Sequence, residues 1–350
     1  MPKLISIATA VPDNKITQAD AKAFASELFG AQMGDISRLL PLFDNTGITM
    51  RYFVSPPEWF KEDHSLEEKN RLYIEAATEL GAQASRKLFE ENGISPDQID
   101  YIIYINSTGL ATPTIDARLI NVLGLKKNIR RTPIWGLGCA GGSAGLAHAY
   151  HYLIGHPHER VLVVAVELCG LTFIPDDFSK SNLVACALFG DGAAAALLFG
   201  DEVDQDGLSI MGTQSMFYPD SLNVMGWNIV SRGMQVVFDK KIPDIVLQYA
   251  AKDLKTFLDN HHLQQNDIEQ YLYHPGGVKV LESYLKAFAV TDDYFKFSKN
   301  VLSNYGNMSS VTVLFVIQHY LKQHGINNPG YGIISSLGPG FCSESLLVKL

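Results

Sequence analysis

The sequence predicts an α/β protein made of two similarly folded halves. Three pairs of distant segments resemble each other at nearly the same separation in a chain of 350 residues. A constant separation of about half the chain length indicates an internal duplication. The pairs lie about 169 positions apart and are 94–104 with 263–273, Gly138-Cys139 with Gly306-Asn307, and 161–166 with 331–336.

Helical and strand-like patterns alternate within both halves, which is typical of an α/β architecture. Strands are predicted at 1–10, 160–166 and 210–213, and helices at 75–91 and 244–260. We place one half at 1–200 and the other at 201–350. No linker rich in Gly, Ser or Pro separates them, so we expect the two halves to pack as one unit.

Charge and composition exclude several classes of protein. The 28 Lys and Arg residues against 37 Asp and Glu residues give a net charge of −9, which argues against nucleic acid as a partner. The 47% of hydrophobic residues and 19% of charged residues exclude a disordered chain. The chain is therefore expected to bury a substantial core.

The cysteines and the apolar segments bear on the compartment. Four scattered cysteines without a C-x-x-C pair do not form a disulfide framework and suit a reducing compartment. The apolar run at 1–10 is too short for a signal peptide. Segment 132–158 has no charged residue, but its six glycines, four histidines and two prolines argue against a membrane span. We expect a cytoplasmic protein without a membrane span.

Three reactive side chains occupy corresponding edges of the repeated unit. Cys139 follows a strand-like run at 132–135 and opens a helix of small residues, and Asn307 holds the same place in the second half. His274 follows a predicted strand at 271–273. A helix N-terminus and a nearby imidazolium both favour a thiolate, and amide and imidazole N–H groups stabilise an oxyanion. This set suits acyl-thioester chemistry.

The structural alternative for each residue is a packed apolar cysteine, or a histidine or asparagine that forms a turn. Five ordered motifs decide between these interpretations. They resemble the type III polyketide synthases, the chalcone and stilbene synthase family, from Ile5 to Leu347. The motifs are Gly-Cys-Ala-Gly-Gly at 138–142, Leu-Phe-Gly-Asp-Gly-Ala-Ala at 188–194, His-Pro-Gly-Gly at 274–277, Tyr-Gly-Asn-Met-Ser-Ser at 305–310 and Gly-Pro-Gly-Phe at 338–341.

The resemblance implies the thiolase fold, a homodimer, and CoA thioesters as substrates without a metal or redox cofactor. It makes Cys139 the acyl-accepting nucleophile and makes His274 and Asn307 the groups that bind the thioester carbonyl during decarboxylation. Phe189 is implied to be an aromatic wall that favours loss of the malonyl carboxylate. The residues implied to line the elongation cavity are Thr172, Val236, Ser309, Pro339 and Phe341.

The sequence departs from the family pattern where a basic cluster usually meets the CoA phosphates. Segment 44–51 keeps only Arg51 of that cluster. We expect Arg51 to contact CoA together with Lys279, Gly276 and Gly277, which follow His274.

The segment around Cys139, at 133–146, is similar to the bacterial branch of the family. That likeness implies malonyl-CoA as the extender and a fatty acyl-CoA as the starter, with alkylpyrones or alkylresorcinols as products. Val236 stands where plant members carry an aromatic residue, so a smaller side chain would leave room for a long chain.

Two other enzyme classes are compatible with parts of the sequence. A ketoacyl synthase that initiates fatty-acid synthesis has a similar Cys, His and Asn set. A dinucleotide-binding oxidoreductase would explain G-x-G-x-x-G at 136–141 with Glu167 as the acidic partner, but the spacing is long and Pro133 interrupts the preceding strand. His148 and His151 are followed by His156 and His158, but no ligating cysteine or carboxylate completes the set, so no metal site is predicted.

Overall fold

A computed structural model of the chain describes residues 1–326 and 328–350, with the backbone alone at 32 and 33. The strands are β1 Lys3–Ala10, β2 Asn14–Thr17, β3 Met50–Phe53, β4 Tyr101–Asn106, β5 Arg130–Trp135, β6 Arg160–Leu168, β7 Asp191–Phe199, β8 Leu208–Phe217, β9 Met225–Val230, β10 Gly233–Phe238, β11 Ile268–Tyr273, β12 Tyr331–Gly338 and β13 Cys342–Lys349. The α-helices are α1 Gln18–Met33, α2 Pro41–Asp44, α3 Leu66–Asn92, α4 Ile115–Leu123, α5 Gly141–Gly155, α6 Lys180–Leu188, α7 Ile242–Asp259, α8 Val278–Phe288, α9 Lys296–Tyr305 and α10 Thr312–His324.

One continuous sheet joins the two halves. Its order is β11-β12-β13-β8-β1-β7-β6-β4-β5. In the first half β4 pairs parallel with β6, and β7 pairs antiparallel with both β6 and β1. In the second half β11 pairs parallel with β12, and β13 pairs antiparallel with both β12 and β8. The antiparallel pair β1 and β8 lies at the centre. The predicted duplication and the packing of both halves as one unit are therefore confirmed.

The same local turn precedes the equivalent strands β4 and β11. The backbone N–H of Ser95 donates to Oε1 of Gln98 at 2.9 Å, and the backbone N–H of Gln264 donates to Oδ2 of Asp267 at 2.7 Å. Each contact closes a single helical turn that satisfies a backbone donor just before the chain extends. The resemblance between 94–104 and 263–273 thus has a structural cause.

The two halves differ at the outer edge of the sheet. Strand β5 extends the first half beyond β4, whereas the corresponding positions 299–304 belong to helix α9. Strand β5 therefore presents a free edge in this chain. Its last residue, Trp135, is 48% exposed.

Helices α5 and α10 lie on the same side of the sheet, and their N-terminal ends touch through glycine. A β-carbon added at Gly142 would lie 2.2 Å from the carbonyl oxygen of Ser310, which is closer than any real contact. Only a residue without a side chain allows these backbones to approach so closely. The small-residue pattern after Cys139 therefore serves the junction between the halves.

The predicted helices at 75–91 and 244–260 correspond to α3 and α7, and α3 begins earlier than expected. Ser65 caps α3, because its hydroxyl accepts from the backbone N–H of Glu68 while Glu68 accepts from the N–H of Ser65. None of the helices in the described residues has the length and apolar character needed to cross a membrane.

Candidate active site

Four residues predicted to be functional converge at the junction of the halves. Cys139 lies in a 3₁₀ turn, Gly138–Ala140, that leads directly into α5. His274 follows β11, Phe189 follows α6, and Asn307 follows α9. All four side chains are buried, with Cys139 5% exposed and Asn307 1% exposed. Residues that the repeat and the strand ends single out in the sequence therefore lie buried at one junction, and their catalytic roles stay a prediction.

The asparagine amide has a defined orientation. Oδ1 of Asn307 accepts the backbone N–H of Ser309 at 2.8 Å and the Cys139 thiol, with Sγ at 3.9 Å. Nδ2 of Asn307 donates to the carbonyl oxygen of Gly276 over a long 3.4 Å. The amide N–H₂ group is thus held on the side of the His-Pro-Gly-Gly turn, in only one weak contact within the described part of the chain.

Two backbone hydrogen bonds join Phe189 to Asn307. The N–H of Gly190 donates to the Asn307 carbonyl at 3.1 Å, and the N–H of Asn307 donates to the Leu188 carbonyl at 2.8 Å. These bonds pair the backbone of Phe189 with that of Asn307, although the residues belong to different halves. The Phe189 ring also packs against Trp227 and Phe238, with centroids 5.9 and 5.6 Å away.

His274 is buried without a charged partner. Its backbone N–H donates to the Ser335 carbonyl at 2.8 Å, while neither ring nitrogen has a hydrogen-bond partner among the described residues. Burial disfavours the imidazolium and lowers the pKa of His274 to about 3. The imidazole is therefore neutral in this structure.

A thiolate at Cys139, which a helix N-terminus and a nearby imidazolium would favour, is disfavoured by burial in this structure. Burial, with a smaller contribution from the nearby Glu167 carboxyl, raises the pKa of the Cys139 thiol to about 12. Contacts with Ser309 and Asn307 lower this pKa only partly. Loss of hydration therefore outweighs the helix N-terminus, and no hydrogen bond between Cys139 and His274 occurs in the described residues.

A buried polar network around Glu167 lies near the Cys139 thiol, and the sequence does not indicate it. The buried Glu167 carboxylate accepts from the Ser107 N–H, the Ser107 hydroxyl, the Thr108 hydroxyl and the Ser310 hydroxyl at 2.6–2.9 Å. A carboxylate so fully occupied has no place for a ribose hydroxyl, which argues against the dinucleotide-binding alternative. Nothing in the sequence marks Ser107, Thr108 and Ser310 as its partners.

An apolar pocket lies beside Phe189 and holds about 740 Å³ of space, part of it open to solvent. Its wall combines residues from α1, the segment 57–60, α6 and the β9–β10 hairpin. The lining includes Phe24, Phe53, Phe60, Cys169, Thr172, Phe173, Ala185, Cys186, Phe189, Trp227, Met234 and Val236.

The structure divides the residues that were expected to line one cavity. Thr172 and Val236 line the pocket beside Phe189, whereas Phe341 lines a separate cavity under α7 and α8. Pro339 packs near Gly138, where an added β-carbon would lie 2.7 Å from the proline ring. Ser309 contacts Asn307, so Pro339 and Ser309 adjoin the Cys139 side of the site.

The expectation that Arg51 meets the CoA phosphates is also wrong. Arg51 is 1% exposed, and its guanidinium donates to buried oxygens inside the protein. Side chains alternate between the two faces of strand β3, and Arg51 is on the buried face. The absence of other basic residues in 44–51 gives no information about this orientation. Lys279 is exposed on the first turn of α8, and Gly276 and Gly277 lie half-buried before it. CoA contact by these three residues stays a prediction.

No group of three or more His, Cys, Asp or Glu side chains is arranged to hold a metal ion within residues 1–326 and 328–350.

Comparison with known proteins gives matches over the whole chain. Residues 2–202 match the N-terminal domain of chalcone and stilbene synthases, and residues 209–350 match the C-terminal domain. A Bacillus subtilis (strain 168) protein provisionally named chalcone synthase is 41% identical, over 99% of this chain and 98% of that protein. A 1,3,6,8-tetrahydroxynaphthalene synthase of Streptomyces peucetius subsp. caesius is 33% identical, over 98% of this chain and 92% of that protein.

A solved structure agrees with these sequence matches. The 1,3,6,8-tetrahydroxynaphthalene synthase of Streptomyces coelicolor A3(2), a bacterial type III polyketide synthase, matches with a TM-score of 0.94 at 28% identity, covering 99% of both chains. The duplicated sheet and the buried site thus define a thiolase-fold transferase. The chain belongs to the chalcone and stilbene synthase family: it is a type III polyketide synthase, which catalyses decarboxylative condensation. The ketoacyl synthase alternative is not supported.

Burial of neutral His274 gives a testable pH dependence of stability. The unfolded chain takes up a proton as pH falls below 6.5, whereas the folded chain does so only near 3. The stability associated with neutral His274 is therefore complete above pH 6.5 and is lost progressively as pH falls toward 3.

We expect the free energy of unfolding of the wild type to fall more between pH 7 and pH 5 than that of His274→Gln, which cannot titrate. Denaturant unfolding of both proteins at the two pH values measures this difference, and other titrating groups cancel in the comparison. Equal losses in the two proteins would contradict a depressed pKa at His274.

Proposed function

We propose that Cys139 accepts an acyl group from a fatty acyl-CoA starter and that the chain is then extended with malonyl-CoA. His274 and Asn307 bind the thioester oxygen during decarboxylation, and Phe189 forms the apolar wall beside the leaving carboxylate. The observation that carries this proposal is the convergence of these four buried side chains at one junction.

Acylation begins from a neutral thiol and a neutral imidazole. The imidazole of His274 takes the thiol proton while Cys139 sulfur attacks the thioester carbonyl carbon, and the CoA thiolate leaves with that proton. Both pKa values disfavour the separated charges in the empty site. Proton transfer from Cys139 to His274 therefore accompanies attack on the bound substrate. In the absence of acyl-CoA, Cys139 stays a neutral thiol.

Decarboxylation requires donors to the malonyl thioester oxygen. Cleavage of the carbon–carbon bond releases CO₂ and leaves its electron pair as an enolate whose oxygen carries the charge. The amide of Asn307 is available because its contact with Gly276 is long, and a ring N–H of His274 supplies a second donor. The Phe189 ring solvates a carboxylate poorly and so favours its loss as neutral CO₂.

The apolar pocket supports a fatty acyl starter. It adjoins Phe189, its wall is mainly aromatic and aliphatic, and Val236 leaves space where a larger residue would fill it. An alkyl chain buried there would gain hydrophobic free energy of about 0.8 kcal/mol per methylene. We propose alkylpyrones or alkylresorcinols as products.

A naphthalene-type product is the second candidate, because two relatives are named 1,3,6,8-tetrahydroxynaphthalene synthase. Such a product carries no alkyl chain and would leave the apolar pocket without a starter chain. The choice of starter therefore separates the two candidates.

We also propose a homodimer. Strand β5 has a free edge and ends at Trp135. Trp135 and Leu110 are exposed apolar residues, and the Trp135 indole donates to the carbonyl of Gly109, the residue before Leu110, at 3.1 Å. An unpaired strand edge with an apolar surface favours association with a second chain.

The roles of Cys139 and Asn307 are separable in malonyl-CoA decarboxylation. Loss of one oxyanion donor typically costs about 10²–10³ in rate, so we expect Asn307→Ala nearly to abolish acetyl-CoA release from malonyl-CoA. Cys139→Ala should abolish condensation but leave that release measurable, because decarboxylation needs donors and not sulfur. Following acetyl-CoA by chromatography tests both variants, and equal loss in the two would contradict the assigned roles.

The starter preference is tested by filling the pocket. We expect Val236→Phe to reduce product formation from long-chain acyl-CoA at least about tenfold while sparing short starters, because it occupies the chain's space. Val237→Phe is the matched control, since Val237 does not line the pocket. Wild-type activity that is higher with malonyl-CoA alone or with aromatic CoA esters than with fatty acyl-CoA would overturn the fatty acyl assignment.

A further inference from the structure

Arg51 holds a buried positive charge that the reaction as described does not use. Its guanidinium lies behind Phe189, with Nη1 donating to the Cys186 and Phe189 carbonyls at 2.6 and 2.8 Å. Nη2 donates to Oε1 of Gln18 at 2.9 Å. Within the described residues no carboxylate forms an ion pair with it, so backbone oxygens supply much of its solvation.

These contacts complete the C-terminal end of α6. A helix leaves its last carbonyls without partners in the helix, and the end carries partial negative charge. Here every one of the four carbonyls at 186–189 has a donor from elsewhere in the chain. Cys186 and Phe189 accept from Arg51, Ala187 accepts from Nε2 of Gln18 at 3.0 Å, and Leu188 accepts from the backbone N–H of Asn307 at 2.8 Å.

The aliphatic stem of Arg51 packs against the two backbones that meet at the site. A β-carbon added at Gly306 would lie 2.7 Å from Cγ and Cδ of Arg51, and one added at Gly190 would lie 3.4 Å from Cβ of Arg51. Gly306 also has φ +69°, which favours glycine. The arginine is therefore in close contact with the residue after Phe189 and the residue before Asn307.

We propose that Arg51 is a positioning residue that holds Phe189 and Asn307 at the separation needed for decarboxylation of malonyl-CoA. This inference rests on the proposed roles of those two residues. Within the described contacts Arg51 has no hydrogen bond to Cys139, and it acts through the Phe189 carbonyl and the Gly306 backbone.

The planar guanidinium is what allows one side chain to reach this set of oxygens. Lysine keeps the charge but has a single nitrogen on a flexible stem and cannot reproduce the fork. In Arg51→Lys the end of α6 would lose a donor, and the ring and amide would shift relative to each other. A misplacement of ~1 Å can cost about 10² in rate.

The test compares two half-reactions of the purified full-length chain. Acetyl-CoA release from malonyl-CoA reports Phe189, Asn307 and His274. Acylation by a fatty acyl-CoA, followed by intact-protein mass spectrometry, reports Cys139 and His274, so a loss confined to acetyl-CoA release locates the change at Phe189 and Asn307. For Arg51→Lys we expect decarboxylation to fall at least about tenfold while the acylation rate stays within about twofold of wild type. Arg38→Lys makes the same chemical change at an exposed arginine and should match wild type in both reactions.

A purely structural role for Arg51 would lower both half-reactions together, and that result, or no change in either, would overturn the proposal. If Arg51→Lys does not fold, Gln18→Ala decides, because it removes the acceptor for Nη2 and the donor to Ala187 but keeps the guanidinium. If Gln18→Ala slows decarboxylation but not acylation, even by less than tenfold, the proposal is supported. If it slows both half-reactions equally, or neither, the proposal is overturned. A wild type that releases no acetyl-CoA would overturn the proposed function, whereas an active wild type matched by Arg51→Lys would overturn this inference alone.

Discussion

The backbone bridge between Phe189 and Asn307 is the contact on which the site depends. It joins the end of α6 in the first half to the turn before α10 in the second half, through bonds of 2.8 and 3.1 Å. The close approach at Gly142 and the central pair of β1 with β8 hold the same two halves together. The site thus exists only where the duplicated units meet, and its geometry is set by backbone atoms.

Burial at this junction explains the electrostatics of the site. Burial raises the pKa of Cys139 to about 12 and that of Cys186 to about 11, and lowers that of His274 to about 3. Acidity alone therefore does not select Cys139 over Cys186. We expect selection to come from position, because the Cys139 thiol donates to Oδ1 of Asn307, whereas the Cys186 thiol has no hydrogen bond within the described contacts.

Sequence reasoning detected the internal duplication and the ordered motifs. The duplication located Cys139 and Asn307 at equivalent places, and the fold class and family followed from the resemblance. It could not find that Arg51 faces inward, because a single arginine in a short strand carries no signal of burial. It also favoured a thiolate at Cys139, since the cost of desolvation depends on packing from both halves. The partners of Glu167 come from two distant segments, 107–108 and 310, and the sequence does not mark them either.

We expect position at the junction to decide which cysteine carries the acyl chain, and peptide mapping tests this most directly. The wild type is incubated with a fatty acyl-CoA, digested, and the acylated peptide is identified by mass spectrometry. Cys169 and Cys186 line the apolar pocket and are the natural competitors. We predict a hydroxylamine-sensitive acyl group on the peptide that contains Cys139. An acyl group on Cys169 or Cys186, with Cys139 unmodified, would contradict it.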